Sequence, residues 1–216
     1  MKKSKLSLIL FIGVSILYVF GILIDNISLR FIFKPLILVS LMIYYSSSVQ
    51  EKSQLFLAAL FFSFLGDIFL LFESEINFIL GLVSFLLAHI MFIVLVVRML
   101  KKPSSKNGLI AFIPFVITFS GLLFLLKDSL GEMMIPVIIY GAVISIFGTV
   151  SLLNYLTSKT KESMFLLIGA VFFVLSDSVL AINKFYDSMA FYPLIVIVTY
   201  ILAQYFICRF MIVKSK

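Results

Sequence analysis

The chain is 216 residues long, 63% hydrophobic and 12% charged, with a mean hydropathy of +1.24. Soluble domains average about 45–50% apolar and about 25% charged, so the composition excludes a soluble globule and points to an integral membrane protein. The formal net charge is +7, but the cations sit in short breaks between apolar runs. That pattern sets topology and meets anionic lipid; it does not make a nucleic-acid surface.

In chain order, the first apolar run (6–24) follows Lys2, Lys3 and Lys5. It looks like a signal peptide, yet it is as long as a membrane span and no small-x-small cleavage site follows. It is expected to be a retained first helix. Further helices are predicted at 31–49, 54–72, 77–98, 108–126, 132–156, 163–182 and 189–212. Lys34 and Pro35 would open the second helix. Asp67 falls in the third, His89 in the middle of the fourth, Tyr140 in the sixth, Asp177 and Asn183 in the seventh, and Tyr200 and Gln204 in the eighth. The breaks are short and carry turn or charged residues, so sequential helices should run antiparallel. The expected fold is all-α: a polytopic membrane helix bundle of about eight transmembrane helices, one domain over residues 1–216.

Lys and Arg counts give an orientation. With a cytoplasmic N-terminus, that side holds 13 of the 17 cations, and Arg30, Lys34, Lys127 and Lys184 lie opposite. An even number of spans returns the basic C-terminus to the cytoplasm. Asp67 and Asp177 then both lie in the outer half, in helices running outward. They are four helices apart, and Leu65-Gly66-Asp67 aligns with Leu175-Ser176-Asp177. This is the pattern of a four-plus-four parallel duplication.

A carboxylate at the bilayer centre costs roughly 2.5–3.5 kcal/mol on insertion scales. Such a residue is either neutralised or hydroxyl-bonded as a tie between helices, or it is functional. Two matched aspartates plus the only histidine favour function. Gly66 and Ser176 are small and allow close helix approach. Gly81, Ser84, Ala88 and His89 share one stripe of the fourth helix. Tyr200 and Gln204 share one face of the eighth. Tyr140 could bridge helices or line a cavity, Asn183 sits at the outer end of its helix, and Lys34 could either snorkel or bind a lipid phosphate. Cys208 stands alone and reads as a small helical residue. There is no second histidine, no Gly-x-Ser-x-Gly and no nucleotide fingerprint, so no metal or other cofactor is expected.

Taken together, Lys34-Pro35, Leu65-Gly66-Asp67-x-x-Leu70, Gly81 through His89, Gly169-Ala170, Ser176-Asp177-x-x-Leu180-Ala181-x-x-x-Phe185 and Tyr200-x-x-Ala203-Gln204 resemble the YhhN family, which includes the animal lysoplasmalogenases. One departure is Phe92, where a tyrosine is expected three residues after the histidine. The resemblance implies hydrolysis of the vinyl ether bond of lysoplasmalogens to a fatty aldehyde and glycerophosphoethanolamine or glycerophosphocholine. On that implication Asp67 and Asp177 are an acid and base pair. His89 orients a carboxylate or relays a proton, and Lys34 holds the headgroup phosphate. Tyr140, Asn183, Tyr200 and Gln204 contact the substrate. The expected partners are a lysophospholipid and membrane lipid, and the expected location is a bacterial cell membrane. The competing reading is a small proton-coupled transporter or lipid-binding membrane protein whose aspartates carry protons.

Overall fold

The computed structural model describes residues 2–215. Lys216, counted above for orientation, lies outside them, as does the side chain of Lys2. Among the described residues the secondary structure is helical throughout, in eight α-helices: α1 Lys2–Leu23, α2 Ile27–Ser48, α3 Gln54–Phe69, α4 Glu75–Met99, α5 Ser105–Leu126, α6 Met134–Ser158, α7 Lys161–Phe185 and α8 Tyr192–Lys214. A 3₁₀ turn, Gly131–Met133, leads into α6. Seven of the eight helices are long and apolar enough to cross a membrane. The chain is an integral membrane protein with the predicted all-helical architecture.

Polar residues in the breaks start the helices. Asn26, Ser53, Ser104 and Thr160 each accept a hydrogen bond from a backbone N–H of the first turn that follows, and Thr160 forms a reciprocal capping box with Ser163. The Asn26 cap corrects one expectation. Because it starts α2 at Ile27, Lys34 and Pro35 do not open that helix but lie two turns inside it. Pro35 has no N–H, so the helix loses the bond that the carbonyl of Phe31 would accept. A second correction concerns α3. It has 16 residues and stops at Phe69, three residues before the predicted end. At about 1.5 Å per residue it spans roughly 24 Å, less than the roughly 30 Å hydrocarbon core. Asp67 therefore sits in the last turn of a short helix.

The chain clusters into two compact units. One runs to Met91 and takes in the chain from Cys208 onward; the other is Phe92–Ile207. In the first unit α1 packs on α2, and α2 on α3. The hydroxyls of Ser4 and Ser48 meet at 2.6 Å and those of Ser7 and Ser47 at 2.7 Å, two ties across α1 and α2. The Arg209 guanidinium donates to the Tyr44 hydroxyl at 3.2 Å. The Ser53 N–H donates to the Tyr45 hydroxyl at 3.0 Å and so anchors the break before α3.

In the second unit α6 packs against α5 and α7. Two rings of α5 lie over two glycines of α6, Phe115 on Gly148 and Phe119 on Gly141. Gly169 of α7 meets the backbone of α8 directly, and a Cβ there would lie 3.0 Å from both the carbonyl oxygen of Ala203 and the N of Ile207. The faces turned away from these contacts are apolar. Ile117 and Phe124 of α5 are 66% and 73% exposed. An apolar exterior of this kind is a lipid-facing surface.

These contacts predict opposite outcomes for two glycine substitutions. Gly169→Ala drives a methyl into rigid backbone and should destabilise the fold by about 1–3 kcal/mol. Gly13→Ala in α1 meets nothing within 4 Å and should be neutral or stabilising by up to about 1 kcal/mol. The only cysteine, Cys208, is fully buried. Its labelling by a thiol-reactive fluorophore during heating in detergent therefore reports unfolding of each variant.

Candidate functional site

In the first unit Asp67 is 3% exposed. The residue before it, Gly66, lies under the Phe85 ring of α4; a Cβ there would come within 2.6 Å of that ring. Gly81 of α4 in turn lies against Leu70, just beyond α3. These two glycines bring the last turn of α3 close to α4. Asp67 is in electrostatic reach of the Tyr18 hydroxyl of α1 and of the Lys34 ammonium of α2. Arg30, one turn before Lys34, reaches the same Tyr18 hydroxyl and also lies 3.7 Å from Asp25. Tyr18 and Arg30 were not singled out in the sequence. Arg30 and Lys34 are i and i+4 and share a face of α2, a signal that could have marked the pair.

The predicted stripe on α4 is buried along Gly81, Ser84, Ala88 and His89. The His89 Nδ1 lies 2.8 Å from the carbonyl oxygen of Phe85. A carbonyl only accepts, so Nδ1 carries the proton, and in a neutral ring Nε2 is then an acceptor.

In the second unit the Tyr140 hydroxyl of α6 donates to Oδ2 of Asp177 on α7. The bond crosses between neighbouring helices, and both residues line an open apolar cleft among α5, α6 and α7. Apart from Tyr140, Asp177 and Ser178 the walls are apolar. Ser176, next to Asp177, donates to the Val196 carbonyl of α8 at 2.9 Å, and so fixes how α7 is turned. On α8, Tyr200 packs edge-on against Phe173, and the Gln204 amide donates to the Tyr200 hydroxyl at 3.4 Å. Asn183 lies at the exposed end of α7, where its side-chain oxygen accepts from Ser188 at 3.3 Å. Phe92 is buried with its ring 5.6 Å from that of Phe147.

Within each unit the predicted residues show local pairings. Tyr140 joins Asp177, Tyr200 joins Gln204, Lys34 neighbours Asp67, and His89 bonds to its own helix. Among the described residues no three His, Cys, Asp or Glu side chains gather in a way that could hold a metal ion. Chemically, the arrangement offers a carboxyl group with a phenol at an apolar cleft, and a buried carboxyl group within electrostatic reach of a lysine.

No curated protein matches the chain, and no solved structure does. The family model described as the YhhN family matches residues 29–211, which takes in α2 after its first two residues, every helix from α3 to α7, and most of α8. The chain belongs to the YhhN family.

Proposed function

We propose that the chain is a membrane hydrolase of the lysoplasmalogenase type, which cleaves the vinyl ether bond of a lysophospholipid to a fatty aldehyde and a glycerophosphodiester. Membership of the YhhN family supports the reading. The observation that carries it is the Tyr140–Asp177 pair in the lining of an apolar cleft. Vinyl ether hydrolysis begins with transfer of a proton to the β-carbon of the double bond, which leaves an oxocarbenium ion. Water adds to that ion, and the hemiacetal collapses to aldehyde and alcohol. The chemistry asks for a carboxyl group that gives a proton and a carboxylate that takes one from water. Asp177 and Asp67 are the two carboxyl groups assigned to these steps.

The remaining residues support them. Tyr140 orients Asp177 and can pass a proton to the departing alcohol. Lys34, with Arg30 one turn away, suits a phosphate, since an ammonium and a guanidinium both favour phosphate oxygens. His89 is a proton acceptor on a neighbouring helix of Asp67. The bacterial cell membrane is the location this reading adopts.

The test is turnover by purified protein in detergent, with an ester lysophospholipid as control and aldehyde measured by mass spectrometry. A hydrolase releases aldehyde with no ion gradient, whereas a transporter does not. Asp67→Asn and Asp177→Asn should each lower kcat by about 10²–10⁴-fold, the usual loss when general acid or base catalysis is removed. Full activity in both folded variants would sink the assignment. Lys34→Met should raise KM roughly tenfold while changing kcat little, as expected for loss of a charge-assisted contact to the headgroup.

A further inference from the structure

We infer that Tyr18 of α1 is a positioning residue for Asp67: its phenol, held by Arg30, braces the carboxyl group at the end of α3. The inference rests on the proposed function for what Asp67 does, whereas the action of Tyr18 on Asp67 can be tested without turnover. The family match begins at residue 29, so α1 lies outside it and the match assigns α1 no part in the site.

The burial pattern of α1 places the phenol. Ser7, Phe11, Val14, Tyr18 and Gly21 recur at helical spacing and are all buried, so they form one stripe that faces the rest of the unit. The Ser7 hydroxyl is engaged by Ser47 at the far end of the helix. Beyond Ser7, Tyr18 is the one residue of the stripe with a polar side-chain atom, and it is 5% exposed.

The turn after α1 fixes that phenol against α2. Residues 24–26 are all that separate the two helices. Asp25 takes the left-handed conformation, with φ at 50°. Its N–H donates to the Ile22 carbonyl at 3.1 Å, and the Asn26 N–H donates to the Gly21 carbonyl at 2.8 Å. These two bonds are the Schellman closure of a helix. The Asn26 side chain then accepts from the Leu29 N–H at 3.0 Å and starts α2 at once. At Gly21 the helices touch. A Cβ there would lie 2.8 Å from the Leu29 Cβ and 3.5 Å from the backbone N of Arg30. Tyr18 is one turn before Gly21, and Arg30 ends the first turn of α2. Backbone bonds therefore bring the phenol to the guanidinium.

The chemistry of the pair directs the phenol onward. Arg30 hydrogen-bonds the Tyr18 hydroxyl. A guanidinium only donates, so the hydroxyl oxygen accepts and the phenol's own proton is left for another group. Asp67 is the carboxyl group within its electrostatic reach. A carboxylate in the last turn of a helix faces that helix's free carbonyls and gains from a donor on another element. Lys34 supplies charge to Asp67, but an ammonium on a flexible stem is a point charge that sets little direction. A rigid ring with a single proton, anchored by Arg30, supplies direction.

The experiment compares Tyr18→Phe with the unaltered full chain in detergent, in two assays. The first is the rate at which dicyclohexylcarbodiimide, which modifies carboxyl groups in apolar surroundings, labels Asp67. It is mapped by mass spectrometry, with Asp177 as internal reference. The second is aldehyde release from the lysophospholipid. Loss of the hydroxyl should free the carboxyl group and raise Asp67 labelling several-fold, with Asp177 unchanged. It should lower kcat about tenfold and leave KM within about twofold, the signature of one hydrogen bond to a charged group that counts in the transition state. In an Asp67→Asn background the same substitution should lower kcat no further. Val14→Ala, one turn earlier on the stripe, removes packing but no hydroxyl and should alter neither readout. Protection of the buried Cys208 shows that each variant is folded. Unchanged or slower Asp67 labelling in folded Tyr18→Phe overturns the inference. A rise shared by Asp177 or reproduced by Val14→Ala marks general loosening and also overturns it, as does a further loss of kcat in the Asp67→Asn background. Faster Asp67 labelling in a protein that releases no aldehyde faults the hydrolase reading and leaves the tie between Tyr18 and Asp67 standing. Aldehyde release with unaltered labelling does the reverse.

Discussion

Inside a bilayer a polar group has no water to turn to, so each one must be met by another part of the protein or bear the full cost of its desolvation. The backbone answers by forming helices, and the first turns of α2, α3, α5 and α7 are closed by side-chain caps. Hydroxyls within the helices answer by bonding back one turn: Ser15 to Phe11, Ser63 to Ala59, Ser84 to Leu80 and Ser151 to Phe147. Those that reach another helix do structural work between elements, as Ser4 and Ser7 do with Ser48 and Ser47, and Ser176 with Val196. The Tyr140–Asp177 bond obeys the same rule with a group that can also give or take a proton.

Each compact unit holds one of the two aspartates, and the two have different neighbours. Asp67 has a lysine within electrostatic range, and the tyrosine it also faces is shared with an arginine. Asp177 accepts from the Tyr140 phenol and lines an apolar cleft. In both units the small residue just before the aspartate is where the following helix makes contact: Phe85 of α4 over Gly66, and Val196 of α8 with Ser176.

Helix number and the approximate course of each helix were legible in the sequence because they depend on local chemistry. Apolar runs of span length and short capped breaks leave few alternatives. The errors were also local. Proline is common at a helix start, which favours Pro35 as an opener, but Asn26 caps the helix two turns earlier. The end of α3 was set too late because Leu70, Leu71 and Phe72 continue the apolar run after the helix has stopped. Which polar groups would meet was harder to read. A sequence fixes depth along a helix, whereas pairing depends on how the helix is turned, and in membranes every face is apolar. Tyr18 shows the difficulty, since one tyrosine in the apolar stretch of α1 gives no sign that it interacts with Asp67. Tyr140 was legible as a candidate but its partner was not.

The brevity of α3 also bears on the surrounding lipid. Its companions in the same unit, α1 and α2, have 22 residues each, yet α3 has 16 and still turns Phe61 outward. A helix too short for the bilayer cannot correct the mismatch by tilting, so the lipid must compress beside it, at a fraction of a kcal/mol per ångström. A dimple of that kind would draw the headgroup layer towards the last turn of α3, where Asp67 lies. A thick, sterol-stiffened bilayer would resist that deformation more than a thin and compliant one, so the mechanics of the host membrane become part of the protein's working environment.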